Sequence, residues 1–139
     1  MWKYPFVLAC IAAVWCAGCG NRPKIVQGTI SVAGETPDSG EVQFVPIEET
    51  KGPVNAGPII AGKYEIKGRG GVPPGTYRVQ IVARKKTGRT VPDYNGFEVA
   101  MVEEQIQISP PVYATAQSPL TEEVTSGGDG TIDFELPAK

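Results

Sequence analysis

Alternating apolar and polar side chains, the period of a half-buried strand, recur through most of this chain. In KIVQGTISV, Val26, Ile30 and Val32 fall on one face and Gln27, Thr29 and Ser31 on the other. The turn cluster AGETPDSG follows, and then Val42 and Phe44 alternate with Glu41 and Gln43 until Pro46 ends the run. IEETKGPVNAGP reads as loop. IIAGKYEIK predicts a short hairpin around Gly62, with Tyr64 and Ile66 facing in and Lys63, Glu65 and Lys67 facing out. The clearest strand lies in GVPPGTYRVQIVARKK, where a Pro73-Pro74-Gly75 turn leads into inward Tyr77, Val79, Ile81 and Ala83.

From Thr87 to Ala100 the alternation weakens and PDYNG predicts a turn. It resumes from Glu103 through Ile106 and Ile108. SPPVYATAQSP is expected to be irregular, because its three prolines strip donors from any ladder. Leu120 and Val124 then alternate with Glu122 and Glu123, SGGDG turns the chain, and TIDFEL closes it with Ile132, Phe134 and Leu136 inward. Seven or so short strands, frequent turns and no amphipathic helix predict an all-β domain, an antiparallel β-sandwich of about seven strands. No internal repeat is present.

One stretch breaks the pattern. Lys3 precedes PFVLACIAAVWCAG, an apolar run of about a dozen residues where a membrane-spanning helix needs roughly 20. A positive n-region, a short apolar h-region and small residues before a polar break mark a secretory signal peptide. Ala17, Gly18 and Cys19 resemble the lipobox of bacterial lipoproteins, although Cys16 stands where leucine is usual. A second match, Val7-Leu8-Ala9-Cys10, would leave an h-region of only a few residues. A metal or disulfide pair made of Cys16 and Cys19 would have no further Cys or His to complete a site. A retained, uncleaved anchor is the other alternative.

The lipobox resemblance implies diacylglycerol on the Cys19 thiol, cleavage before it, and acylation, for instance by palmitate, of the new amino terminus. Residues 1–18 are then a signal peptide, 19–24 a lipidated tether and 25–139 the β-domain. No aspartate follows Cys19, so the best-studied sorting rule points to the outer rather than the inner membrane. The expected location is a bacterial cell envelope, lipid-anchored and facing periplasm or exterior.

Charge and composition then narrow the chemistry. The 13 Lys and Arg nearly balance the 15 Asp and Glu, so no overall field draws in nucleic acid. Histidine is absent, which removes the commonest general base and zinc ligand. All three cysteines lie at or before Cys19, leaving the domain no thiol for a disulfide. No catalytic motif assembles a nucleophile with a base. GRGG lacks the helix that a phosphate cradle requires.

With the strands placed, VQGTISVAGETPDSGEVQFVP, AGKYEI, GVPPGTYRVQI and the closing PPVYATAQSPLTEEVTSGGDGTIDFEL resemble the carboxypeptidase-regulatory-like, or transthyretin-like, domain of small lipoproteins from planctomycete-type bacteria. That resemblance implies a Greek-key sandwich and carries no activity. The branch of the fold that hydrolyses 5-hydroxyisourate uses histidine and a terminal motif ending in serine; this chain has no histidine and ends ELPAK.

Three groups of side chains are candidates for contact. Arg84, Lys85, Lys86 and Arg89 surround Thr87 and Gly88; they read as a solvated hairpin tip, or as a site for phosphate, lipid headgroup or acidic glycan. Tyr94, Phe97 and Tyr113 lie in irregular segments, where rings either cap the core or stack on sugar or peptide. Asp129, Asp133 and Glu135 raise calcium, but their spacing is not an EF-hand loop: Asp129 suits a turn, and the other two the outward side of a strand.

The expected protein is a membrane-anchored, non-catalytic structural or binding module. It needs no cofactor or metal, and its partners are the membrane through acylated Cys19 and an envelope protein or glycan. Two alternatives are a carbohydrate-binding module using the loop aromatics and a carboxylate hydrolase with two acids roughly 5 to 10 Å apart.

Overall fold

The structure, a computed structural model, describes residues 21–139, so the signal peptide, Cys19 and the start of the tether lie outside the described residues. The domain is all-β. Its strands are β1 (Val26–Val32), β2 (Ser39–Pro46), β3 (Asn55–Ile60), β4 (Lys63–Ile66), β5 (Gly75–Tyr94), β6 (Val99–Gln107), β7 (Thr121–Val124) and β8 (Phe134–Leu136).

They join in one sheet in the order β6-β5-β2-β3-β4-β1-β8, with β7 added on β5. Every pairing is antiparallel except β1 with β8, where Ile30, Ser31 and Val32 run parallel to Phe134, Glu135 and Leu136. Three strands separate β2 from β8 along the ladder, yet the Phe44 and Phe134 rings meet edge-on at 6.4 Å. The sheet therefore curls over itself and encloses the core.

The core follows the alternation of the sequence. Val26, Ile30 and Val32 of β1, Val42 and Phe44 of β2, Tyr64 and Ile66 of β4, and Tyr77, Val79, Ile81 and Ala83 of β5 are all buried. Phe134 and Leu136 close it from β8, while Ile132, Ile108, Leu120 and Tyr113 pack partly buried against its margin. The buried hydroxyls find acceptors: Tyr64 donates to the Ile132 carbonyl at 2.6 Å, Tyr77 to that of Pro73 at 2.7 Å. Burial, with the Asp133 and Glu122 charges behind it, pushes the Tyr64 phenol well above its usual range.

The hairpin around Gly62 forms as expected, its turn made by Ala61 and Gly62 with φ of 50° and 75°. SPPVYATAQSP is irregular apart from a single 3-10 turn over Pro111–Ala114.

Several expectations need correction. The loop expected across residues 47–58 is shorter, because β3 begins at Asn55. Its inward positions are Asn55, Gly57 and Ile59, so only the last announces a buried strand. A Cβ on Gly57 would stand 2.4 Å from the Glu65 carbonyl, and glycine is what allows β3 to pass so close to β4. Ile106 does not face the core but is exposed. Finally, the chain does not turn at Thr87 and Gly88: β5 continues to Tyr94, and PDYNG contributes its first three residues to that strand.

Candidate functional site

β2 accompanies β5 only as far as the pair Ser39–Arg84. Beyond it, β5 and β6 continue as a two-stranded ribbon, from Arg84–Gln107 out to Tyr94–Val99. At about 3.3 Å per residue, β6 carries this arm roughly 25 Å past the body of the sheet.

The arm is fastened at its root. Between Lys86 and Thr90 the register shifts, and β5 takes up two more residues than β6, with Gly88 at φ 81° inside the bulge. Arg89 clamps it by donating from Nε and Nη2 to the two oxygens of Glu104 at 2.9 and 2.8 Å, while Thr87 Oγ1 donates to Glu104 Oε2 at 2.7 Å. The Thr87 hydroxyl and then the Arg89 guanidinium hold the Glu104 carboxyl below the usual carboxylate range. Lys86 pairs with Glu103 at 2.5 Å, which raises the ammonium above its ordinary value, and Lys85 pairs with Glu35 at 3.2 Å.

The basic cluster is thus part of the arm's root rather than a solvated hairpin tip. Three of its four cations already face carboxylates of this chain. Arg84, exposed like Lys86 and Arg89, is the exception among the described residues.

Past the bulge the pairing Pro92–Met101 and Tyr94–Val99 puts these four side chains on one face of the ribbon. Tyr94 is 76%, Val99 60% and Met101 64% exposed, and Phe97 in the connecting turn is fully so. Together they make an apolar stripe ending at a shallow depression lined by Tyr94, Gly96, Phe97, Glu98 and Val99. Tyr113 does not join them. It lies in the Pro111–Ala114 turn, half-buried against the core.

The three acids considered for calcium have separate local roles. Asp129 Oδ1 accepts the Thr131 N–H at 3.0 Å, closing the glycine-rich turn, and that bond keeps its carboxyl low. Asp133 Oδ1 accepts the backbone N–H of Thr29 at 2.8 Å and its hydroxyl at 3.1 Å, tying the last segment to β1. Glu135 is an exposed residue of β8. A second concavity crosses the outer face of β1, β3 and β4, floored by Gly28, Ala56 and Pro58, with Lys63, Glu65 and Asp133 on its rim. Glu65 and Lys67, two residues apart on the same side of the chain, pair at 3.7 Å on this rim.

Strand directions fix where the arm points. Antiparallel steps from β5 through β2, β3 and β4 to β1 make β1 and β5 run the same way. The chain enters β1 at the end of the sheet where Lys24 bridges Val72 and Val26 pairs with Ile66. The arm leaves from the opposite end, where Ser39, Ile60 and Arg84 lie side by side.

No protein-family model, curated protein or solved structure matches this chain. Of the expected contact residues, Tyr94 and Phe97 come together and Tyr113 stands apart. Pro92, Val99 and Met101 were not singled out from the sequence, where the trace of the last two is the uninterrupted apolar run VAMV.

Proposed function

We propose that this chain is a membrane-anchored lipoprotein of a bacterial cell envelope, acylated at Cys19, whose β-domain is a non-catalytic module that binds an envelope protein through the apolar tip of the β5–β6 arm. The observation that carries this reading is the arm itself. Tyr94, Phe97, Val99 and Met101 lie exposed and contiguous at the end of the molecule opposite the one where residues 21–25 enter. A contiguous apolar surface held in water marks an interaction site, whereas scattered apolar residues do not. Residues Ala17-Gly18-Cys19 support the anchor.

Two measurements test it. Labelled palmitate should enter the full chain and be lost in Cys19→Ala, with the protein moving out of the membrane fraction. A photo-crosslinking residue at position 97 should capture one discrete envelope protein, and the same residue at position 41 should not. Absence of label overturns the anchor, and equal capture at both positions overturns the arm as the binding site. A glycan is the second reading, favoured by two rings, Tyr94 and Phe97, around one depression. Retention on a glycan array, lost in Tyr94→Ala, would select it over the protein partner.

A further inference from the structure

The free edges of the sheet differ in a way that the apolar tip does not explain. β8 has three residues and β7 four, too short to template another strand. The half of β5 that lies beyond β2 is guarded by its bulge, by Lys85, Lys86 and Arg89, and by Pro92, which offers no N–H. β6 forms the other edge of the same arm. Its nine residues, VAMVEEQIQ, hold no proline, no glycine and no cation. Its two acids are turned to the arm's own cations, Glu103 to Lys86 and Glu104 to Arg89. Nothing on β6 opposes pairing.

We infer that the partner of this edge is β6 of a second copy of the chain, paired antiparallel about a two-fold axis lying within Val99–Val102. The charge pattern argues for self-pairing. Val99–Val102 carries no charge, so identical runs meet without repulsion. A symmetric antiparallel ladder centred on Ala100 or Val102 sets Glu98, Glu103 and Glu104 opposite uncharged residues of the second copy (Val102, Phe97 and Gly96, or Ile106, Met101 and Ala100), whereas a centre on Met101 would set Glu98 opposite Glu104. Energetics point the same way. A two-stranded ribbon with neither face covered is marginal in water, whereas two arms joined edge to edge form a four-stranded sheet. That sheet would present the stripes of Tyr94, Val99 and Met101 from both copies side by side. The inference concerns the edge of β6, so it stands whether or not Cys19 is acylated.

A cysteine scan in cells making the full chain tests it. Single cysteines at positions 99 to 107, and at Glu41 as a control on β2, are oxidised in intact cells and read as disulfide-linked dimer on a gel. The unsubstituted chain gives the baseline from Cys10, Cys16 and Cys19. Dimer should be strongest within 99 to 102, fall towards 107 and stay at baseline for Glu41→Cys. Adding Val99→Glu together with Met101→Glu should lower dimer at position 100 or 102 about tenfold, because like charges then stand opposite one another, 99 against 101 with the centre on Ala100 and 101 against Glu103 with the centre on Val102. No dimer above baseline anywhere, a yield as high at Glu41 as on β6, or a linked band at the mass of a different protein would each overturn the second copy as occupant. Palmitate labelling, and capture at position 97 of a product whose mass differs from that of two linked copies, are read separately, so failure here is distinguishable from failure of the proposed function.

Discussion

Gly28→Ala should destabilise the domain severely, although the residue lies in a strand with ordinary backbone angles. A Cβ there would stand 2.0 Å from the Ile132 carbonyl oxygen and 2.7 Å from its carbon. That carbonyl is the acceptor of the Tyr64 hydroxyl at 2.6 Å, and the N–H of the same residue donates to Gln27 at 2.8 Å. To make room, the segment leading into β8 must move off β1 by about 1 Å or more, enough to break the phenol bond. Overpacking costs about 1–3 kcal/mol. Stranding a buried hydroxyl costs about 1–3 kcal/mol more. The sum is roughly 4 kcal/mol, a large share of the 5–15 kcal/mol typical of a domain, and lowers Tm by about 10–15 °C. Urea and thermal unfolding followed by circular dichroism measure it, with Tyr64→Phe and the double variant completing a cycle. If both substitutions act through the Ile132 carbonyl, their costs are not additive, and the double variant is less destabilised than the sum. Gly34→Ala is the control, since its Cβ meets nothing and only its φ of 79° resists substitution. A Gly28→Ala protein within 1 kcal/mol of the unsubstituted chain, or strict additivity with Tyr64→Phe, would refute the steric reasoning.

Three further outcomes are expected. Phe134→Ala removes the ring that stacks near Tyr64 and meets Phe44 across the curl, and should cost about 3–5 kcal/mol in urea unfolding. Tyr94→Ser and Met101→Ser, both at exposed sites, should leave the unfolding free energy within about 0.5 kcal/mol of the unsubstituted value while abolishing capture from position 97. The arm's root should loosen in acid: Glu104 titrates below its unfolded value of about 4.3, so its contribution is present above that pH and is lost as pH falls through the depressed value. Amide exchange at Thr87 and Gly88 should record that step, and Glu104→Gln should remove it.

The body of the fold was legible where one face of a strand is buried and the other wet. β1, β2, β4, β5 up to Ala83 and β8 obey that condition, and their inward residues are those the alternation marks. β3 escaped because its buried positions are filled by Asn55 and Gly57, chosen for close approach and a hydrogen bond rather than apolar area. The arm escaped for the opposite reason. Neither face of the ribbon beyond Thr90 is covered by the rest of the domain, so no period of two is imposed, and VAMV follows PDYNGFE without a pattern. A weak signal there meant a strand without a core. Likewise the basic run from Arg84 to Arg89 looked like a free patch, because its carboxylate partners Glu35, Glu103 and Glu104 lie far along the chain.

Geometry also bears on what the basic residues can touch. If Cys19 carries acyl chains, six tether residues reach at most about 20 Å from the bilayer to the start of β1. The body then rises about 25 Å along strands of the length of β2 before Arg84 is reached, and the arm adds as much again. A fully extended tether directs the cluster away from lipid headgroups by several Debye lengths of about 8 Å, too far for useful attraction. Only a chain lying flat on the membrane would bring Arg84 down to it. Lys85, Lys86 and Arg89 would still be spent on Glu35, Glu103 and Glu104. On the proposed reading the two ends of the domain would divide the labour: the anchored end would hold the lipid, and the arm would pair its strand edge with a second copy and offer its apolar stripe away from the membrane.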